Sequence, residues 1–390
     1  MNYRENHKKN DKLSILGYGC MRFTKRGGVI DQQKAESELL YAVNAGVNYF
    51  DTAYIYPGSE SALGKFLSKG YRDRVNIATK LPHYLIKSYD DIEKYFQIQL
   101  SRLQTDYIDY YLMHMLPDIT KWEKLKKLGI ERWIEDKKKA RQIRNIGFSF
   151  HGGTNSFVEL VDAYDWDFCQ IQFNYMDEHS QAGLRGLKYA YEKNLAVIIM
   201  EPLKGGRLAN NLPKGAQKLF LSAEPKRSPA EWGLRWVMNH PEVAVVLSGM
   251  NDIKQIKENI ELASDILPNS MSAKELDLIN KVKKVINEKT KVPCTGCGYC
   301  MPCPNGVDIP VCFKSYNDIY SDSWFTGFKE YIMCTTLRAE PSNASKCVKC
   351  GKCERLCPQG IKIIDELQNV KKKLETPIYK IAKKATRKRF

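Results

Sequence analysis

The sequence predicts an α/β protein, with a closed (β/α)8 TIM barrel followed by a small cysteine-rich domain. Short apolar runs alternate eight times with stretches of helical periodicity, a pattern that fills about 250 residues in a barrel of this kind. The chain of 390 residues is longer than the size at which single cores usually stop growing. Ten of its twelve cysteines follow residue 293, so we expect one large unit and one small unit.

The eight apolar runs are rich in Val, Ile, Tyr and Phe, which favour strands. Helical stretches lie between them, and the stretch over 229–239 has Ser228 as its N-cap and a proline directly after the cap. Regular alternation of strand and helix predicts a parallel sheet. The predicted strands span 13–18, 47–50, 75–79, 107–112, 145–148, 168–172, 196–200 and 243–247.

A doubly wound open sheet is the alternative to the barrel. Its dinucleotide-binding form places G-x-G-x-x-G after the first strand, whereas this chain has only Gly17-Tyr18-Gly19 there. The barrel is therefore preferred, and in a barrel the chemistry lies at the C-terminal ends of the strands. The insertion over 115–139, with Trp122 and Trp133, and the segment 207–227 are expected at the rim of the pocket.

Three neighbouring strands end in titratable residues. The second strand leads into Asp51 and Tyr56, the third ends at Lys80, and the fourth ends at His114. A lysine ammonium beside a tyrosine lowers the pKa of the phenol, an aspartate holds the lysine, and a histidine orients a carbonyl oxygen. These residue types predict a site that gives a proton to a carbonyl while a cofactor gives hydride.

These residues resemble the motif of the aldo-keto reductase superfamily, and the resemblance spans about 13–263. The family has Asp-Thr-Ala on its second strand, the catalytic tyrosine five residues after the Asp, and Ser-Glu beyond. Here the motif reads Asp51-Thr52-Ala53, Tyr56 and Ser59-Glu60, and the family's lysine and histidine match Lys80 and His114. The resemblance implies Asp51, Tyr56, Lys80 and His114 as the catalytic residues of a carbonyl or alcohol oxidoreductase.

The same resemblance implies a nicotinamide cofactor, NADP or NAD. Ser149 and Gln170 match the partners of the carboxamide, and Met200 takes the place of the aromatic residue that packs on the nicotinamide ring. Gln255 and Gly249 replace the cations that bind the 2′-phosphate in many members, so we expect NADH to bind about as well as NADPH. The implied cofactor-binding residues are Ser149, Gln170, Met200, Pro202, Leu203, Ser248, Gly249, Gln255, Glu258 and Asn259.

The C-terminal cysteines form two runs. The second run has the spacing C-x2-C-x2-C-x3-C-P, which is typical of [4Fe-4S] ligation, and the first run is one residue shorter. Resemblance to bacterial ferredoxins implies two [4Fe-4S] clusters, each with three ligands from one run and one from the other. The alternative is a pair of zinc sites. The implied ligands are Cys294, Cys297, Cys300 and Cys357 for one cluster, and Cys347, Cys350, Cys353 and Cys303 for the other.

The charge is unevenly distributed along the chain. Lys and Arg outnumber Asp and Glu by 61 to 45, and nine of these cations lie from residue 370 onward beside one acid, Glu375. This tail is expected to be solvated and partly frayed. It offers only Tyr379 and Phe390 as aromatic platforms, so nucleic acid is the least favoured partner.

The expected domains are a barrel over 1–290, a ferredoxin-like domain over 291–370 and a basic tail over 371–390. No apolar run approaches the roughly 20 residues that cross a bilayer, and the polar N-terminus has no signal-peptide pattern. We therefore expect a cytoplasmic protein without a membrane span.

Two classes of function remain open. The preferred one is an oxidoreductase with a small carbonyl or alcohol substrate, in which the clusters transfer electrons or stabilise the fold. The other is an electron-transfer protein in which the barrel holds a cofactor or docks a redox partner protein. A flavin would link hydride to single electrons, but no flavin motif stands out in the sequence.

Overall fold

The fold is described from a computed structural model covering residues 1–6, 8, 11–288, 290–294, 296, 298–357 and 359–387. Eight parallel strands close into a barrel in the order β3-β6-β7-β8-β9-β10-β11-β12, which confirms the predicted fold class. The strands are β1 Tyr3–Asn6, β2 Asp11–Ser14, β3 Leu16–Gly19, β4 Lys25–Arg26, β5 Val29–Ile30, β6 Tyr49–Asp51, β7 Asn76–Leu81, β8 Ile108–Met113, β9 Ile143–Phe150, β10 Phe168–Gln172, β11 Ala196–Met200 and β12 Val243–Ser248.

All eight predicted runs contribute a barrel strand, and the first run is shared between β2 and β3. The antiparallel hairpin of β1 and β2 closes the N-terminal end of the barrel. It is joined to the barrel by a 2.8 Å hydrogen bond that Tyr110 in β8 donates to Asp11 in β2. The opposite, C-terminal end remains available for a site. The short ribbon of β4 and β5 lies in the loop after β3.

Helices pack around the barrel, with capping residues where the sequence predicts them. Ser228 caps α10 and Ser272 forms a capping box with Glu275 at the start of α12. Gly64 in α2 lies against the backbone of Arg102, so a Cβ atom would not fit there. The helices of this unit are α1 Gln32–Asn44, α2 Ser59–Leu67, α3 Tyr89–Leu103, α4 Ile119–Lys127, α5 Ile130–Lys139, α6 Thr154–Asp162, α7 Gly183–Glu192, α8 Arg207–Asn210, α9 Lys214–Leu221, α10 Pro229–Met238, α11 Ile253–Asp265 and α12 Ala273–Asn287.

The insertion after β8 differs from its predicted role at the pocket rim. It folds into α4 and α5, and both of its tryptophans are buried in the barrel's outer core. Trp122 packs on Trp166, while Trp133 packs on Phe96. The apolar faces of these helices bury the tryptophan rings against neighbouring helices, so the rings do not contribute to a pocket.

A second hydrophobic core begins at Val292 and ends at Tyr379. Its helices are α13 Ile309–Ser321, α14 Trp324–Tyr331, α15 Lys352–Arg355, α16 Ile363–Leu374 and α17 Pro377–Arg387, with a π-helical turn over Ile332–Thr336. Among the described residues no helix is both long and apolar enough to span a membrane.

The basic tail is more ordered than the sequence suggested. Residues 371–374 continue α16, and α17 carries the chain on to residue 387. Leu374 and Tyr379 are buried in the second core, and the Tyr379 hydroxyl lies 3.0 Å from that of Thr336. The expectation of a frayed tail is wrong for this stretch, because its apolar residues at helical spacing find a partner surface.

Candidate functional site

A buried ion pair lies at the C-terminal end of the barrel, between Asp51 at the end of β6 and Lys80 in β7. The Lys80 Nζ donates to both Asp51 carboxylate oxygens at 2.6 Å and to the Thr52 carbonyl at 2.7 Å. The residues are 4% and 1% exposed. Burial raises the pKa of Asp51 and lowers that of Lys80, and the charge of each residue opposes the shift in the other.

Tyr56 and His114 stand beside this pair. The Tyr56 and His114 rings meet edge to face with their centroids 6.1 Å apart, and the Lys80 Nζ lies 5.4 Å from the centre of the Tyr56 ring. Tyr56 is on the turn after β6, and His114 directly follows β8. The structure therefore brings together Asp51, Tyr56, Lys80 and His114, the four predicted catalytic residues.

The expected lowering of the tyrosine pKa by lysine is wrong for this structure. Burial, Asp51 and Glu201 raise the pKa of Tyr56. Lys80 gives its three N–H donors to Asp51 and Thr52. The Asp51 carboxylate therefore largely neutralises the positive charge of Lys80. Tyr56 is therefore a neutral phenol, whose hydroxyl can donate a hydrogen bond.

His114 is also neutral. Burial and the charge of Lys80 lower its pKa well below the usual range. Within the described part of the chain, its Nδ1 has no hydrogen-bond partner. A neutral imidazole with a free nitrogen suits contact with a carbonyl oxygen.

Tyr54, the other tyrosine on this loop, faces away from the pair. Its ring meets that of Tyr95 edge to face at 5.1 Å and lies 4.5 Å from the Arg102 guanidinium, both on α3. These contacts make Tyr56 the better candidate for the acid.

The residues assigned to the nicotinamide end lie on adjacent strands. Ser149 in β9 is paired with Gln170 in β10, and Met200 ends β11. The Ser149 Oγ accepts a 2.8 Å hydrogen bond from the Met115 N–H, and the buried Gln170 Oε1 has no partner among the described residues. An unpaired amide oxygen at the barrel mouth fits the NH2 group of a carboxamide.

The residues assigned to the pyrophosphate and adenine lie after β12. Asn259 donates to the Ser248 Oγ at 3.1 Å, which ties α11 to the strand end, and Glu258 lies on the exposed face of α11. The Asn251 N–H lies 3.5 Å from the Gln255 Oε1. Pro202 and Leu203 follow β11, so all ten assigned residues lie on the C-terminal side.

Arg22 is a cation at this site that the sequence did not point to. The loop after β3 places its side chain over Gly249, and its Nη1 lies 3.3 Å from the Gly205 carbonyl. Within the described residues Arg22 forms no ion pair. Only the closure of β3 against β12 brings these distant loops together.

Cysteines of the two runs meet at one small cavity in the second unit. Cys294 and Cys300 of the first run line one small cavity with Cys357 of the second, beside Phe313 and Ile361. Cys297 lies outside the described residues. The eleven described cysteines are free thiols, and among those residues no three Cys, His, Asp or Glu converge on a single-ion site.

The other C-terminal cysteines differ in their exposure, and Cys347 and Cys353 are half-buried. Cys303 lines a larger cleft between the barrel and the second unit, and Cys350 is the exposed cysteine among those described. Cys312 and Cys334 are buried core residues, in agreement with the interpretation that they are not ligands.

The second unit covers half of the barrel mouth. It contacts the loops after β8, β9, β10 and β11, and among the described residues no hydrogen bond or ion pair joins it to the loops after β12 and β3. The covering contacts join Asp118 to the Ala339 N–H at 3.2 Å, Gln181 to Glu330 at 2.8 Å and Lys204 to Asp318 at 3.1 Å, and Gly153 lies against Asp308.

A buried polar chain leads from this interface toward the catalytic residues. The Gln181 side chain donates to Glu330 and lies 3.2 Å from the Nδ1 of His151, which follows β9. Burial and Asp177 raise the pKa of Glu330, and burial lowers that of His151. Sequence reasoning assigned none of these roles, because the partners are far apart along the chain.

Comparison with known proteins gives the class of the protein. Residues 15–281 match the profile of the Aldo/keto reductase family, and residues 293–361 match that of a 4Fe-4S dicluster domain. The fold and the first match together define an oxidoreductase barrel. The chain belongs to the aldo/keto reductase family and carries a C-terminal 4Fe-4S dicluster domain.

Individual relatives cover the barrel part. An uncharacterized oxidoreductase of Bacillus subtilis, YrpG, is 24% identical over 71% of this chain and 92% of its own length. The L-galactose dehydrogenase of Arabidopsis thaliana is 24% identical over 72% and 93%. A solved aldo-keto reductase of Bacillus halodurans, in its holo form, is 26% identical, with a TM-score of 0.59 over 72% of this chain and 96% of that one.

Proposed function

We propose that this protein transfers hydride between NADP or NAD and a small carbonyl or alcohol, with Tyr56 as the general acid and base. The observation that carries the proposal is the neutral Tyr56 phenol next to His114 and the buried Lys80–Asp51 pair. Asp51, Tyr56, Lys80 and His114 are the proposed catalytic residues.

In the reducing direction a bound nicotinamide supplies hydride to the carbonyl carbon. Neutral His114 orients the carbonyl oxygen, and Tyr56 transfers its hydroxyl proton to that oxygen as negative charge develops. Lys80 lies close enough to stabilise the resulting phenolate, and Asp51 fixes the position of Lys80. In the oxidising direction the Tyr56 oxygen receives the proton.

The cofactor is proposed to run from Gln170, on the covered side of the mouth, to Gly249, on the open side. A Schizosaccharomyces pombe relative, 23% identical, is named as an aldo-keto reductase with NADP(+), and a Klebsiella pneumoniae aldo-keto reductase of the same fold was solved with NADPH. These names support NADP, while the unpaired Gln170 oxygen supports binding of the carboxamide.

The two cysteine runs are proposed to hold two [4Fe-4S] clusters with the shared ligand sets predicted from the sequence. The cavity lined by Cys294, Cys300 and Cys357 supports the exchange of the last cysteine between runs. The chain is proposed to divide near residue 290, between the two hydrophobic cores. A reducing, cytoplasmic setting is part of the proposal, because the described cysteines are free.

An electron-transfer role for the clusters is the second candidate function, and the exposure of Cys350 favours it. In that case the clusters would pass electrons between the site of the small-molecule reaction and a partner protein.

The test of the main proposal is the variant Tyr56→Phe, with Tyr54→Phe as the matched control. Loss of the transferable proton should lower kcat for carbonyl reduction by about 100-fold or more. NADPH binding and iron content should stay unchanged, and Tyr54→Phe should retain activity. Full turnover of a carbonyl panel by Tyr56→Phe, assayed anaerobically, would remove the phenol from the mechanism.

A further inference from the structure

The two cysteine runs face different surroundings. Gly296 in the first run lies so close to the backbone of His179, on the loop after β10, that a Cβ atom would come within 2.6 Å of the carbonyl. Cys294 and Cys303 line the cleft between the barrel and the second unit. The first run therefore faces the barrel, whereas Cys350 of the second run is exposed to solvent.

Exposed residues that flank Cys350 in the sequence form a segment termed here the cationic patch. It consists of Lys349, Lys352 and Arg355, all exposed, together with the apolar side chains of Val348 and Leu356, which are 63% and 49% exposed. Within the described part of the chain, none of the three cations forms an ion pair. Cations with an apolar centre are typical of surfaces that bind acidic proteins.

The acid in this segment does not neutralise the patch. Glu354 is half-buried, and its Oε1 accepts a 2.8 Å hydrogen bond from the Ile364 N–H at the start of α16. Its side chain is therefore held toward the helix, and the surface around Cys350 keeps its positive charge.

We propose that the cationic patch docks a small acidic protein that carries single electrons. The inference rests on the proposed cluster ligands, but it does not depend on the carbonyl reaction. In each encounter the reduced carrier loses one electron and a cluster gains one, or the reverse. A protein carrier is favoured over nucleic acid or lipid, because the patch is centred on a proposed cluster ligand and only a redox partner makes use of that position.

Binding to a purified, strongly acidic flavodoxin, measured by anaerobic calorimetry on the iron-loaded full chain, tests the proposal. The variant combines Lys349→Gln, Lys352→Gln and Arg355→Gln. We expect its Kd to rise about tenfold or more at low salt, with a flatter dependence on salt, because charges at an interface govern both properties. The control combines Lys124→Gln, Lys127→Gln and Arg132→Gln, exposed cations on α4 and α5 that carry the same total charge.

Iron content and the cluster absorbance of both triple variants should match those of the parent. A patch variant that binds as tightly as the parent, or a control that weakens binding equally, would overturn the proposal, as would the absence of binding by the parent chain. If the patch variant loses iron, the single variant Lys352→Gln is measured in its place. Its Kd for the flavodoxin is then compared with that of the parent. Carbonyl reduction in the same preparations reports separately on the proposed catalytic function.

Discussion

The role of Lys80 is decided by where its three N–H donors point. Two bind Asp51 and the third binds the Thr52 carbonyl, so none remains for the Tyr56 hydroxyl. The Lys80 Nζ lies 5.4 Å from the centre of the Tyr56 ring, and burial and the Asp51 charge raise the pKa of Tyr56. The neutral phenol carries the proton that reduction of a carbonyl would require.

Arg22 should contribute to cofactor binding, because its side chain lies over Gly249 and forms no ion pair with any described residue. Loss of a charge-assisted hydrogen bond to a phosphate costs roughly 1.5 to 3 kcal/mol, so Arg22→Met should weaken cofactor binding about 10- to 100-fold. If Arg22 contacts the pyrophosphate, NADH and NADPH will be affected equally, as fluorescence titration can measure. Arg26→Met, on the β4–β5 ribbon, is the control, and equal affinities in the two variants would contradict the assignment.

The buried histidines should make the fold sensitive to acid. Burial lowers the pKa of His83 from 6.5 to about 4, so below pH 6.5 the unfolded chain binds a proton there that the fold excludes. The free energy of unfolding should therefore fall as pH drops from 6.5 toward 4, and this group should have no effect above that range.

Replacing this histidine measures its share of the acid sensitivity. Between pH 7.5 and pH 5.5 the free energy of unfolding of His83→Gln should fall by about 1.5 kcal/mol less than that of the parent. Urea unfolding at both pH values measures the difference. An equal pH dependence in His83→Gln and the parent would show that the His83 ring protonates without cost in the fold.

How far single residues could be predicted depended on their position. Asp51, Tyr56, Lys80 and His114 lie at or just beyond the ends of strands, and parallel strands bring their C-terminal ends together. Arg22, His151 and Glu330 could not be predicted in the same way. Their partners are set by barrel closure and domain packing, and neither leaves a local pattern in the sequence.

At the scale of elements, an ionic network holds α13 to the barrel. Lys204, after β11, and Lys314, in α13, each contact both Asp177 and Asp318 within 3.4 Å. The two lysines overcome the effect of burial and lower the pKa of Asp177 far below its usual range. The two acids and the two lysines balance in charge, and Glu330, a third acid near them, has a raised pKa.

Removing one cation from this network should be costly. Lys204→Met leaves two buried carboxylates with one lysine, and the loss of a buried partner typically costs about 3 to 5 kcal/mol. The control Lys193→Met breaks a surface pair with Asp162 and should cost at most about 1 kcal/mol. Urea unfolding of the iron-loaded protein at pH 7.5 measures both, and similar losses would show that the network is well solvated.

At the scale of the whole molecule, the hydride transfer proposed for the barrel and the clusters proposed for the second unit involve different numbers of electrons. Hydride carries two electrons together, whereas each [4Fe-4S] cluster accepts one. We expect NADPH alone to leave the cluster absorbance unchanged during one turnover in flavin-free protein. Anaerobic stopped-flow mixing tests this expectation, with dithionite as the control that the clusters are reducible. Bleaching at the rate of turnover would show that the two sites exchange electrons directly.

The architecture could be predicted further than the arrangement of its parts. Eight strand-helix repeats and two cysteine runs are local patterns, so the barrel and the dicluster domain were both apparent in the sequence. The contact of the second unit with four barrel loops could not be predicted from the sequence, because surface complementarity between two units has no periodic signal. For the same reason, the charged sequence of the tail does not predict that Tyr379 packs into the second core.

The covering of the barrel mouth constrains how this protein can diversify. Barrel enzymes commonly change substrates by lengthening or shortening the loops after their strands. Here an insertion after β8, β9, β10 or β11 would lift the cluster domain from Asp118, Gln181 or Lys204. New specificity on that side must therefore arise through replacement of single residues, while changes in loop length remain open only on the uncovered side.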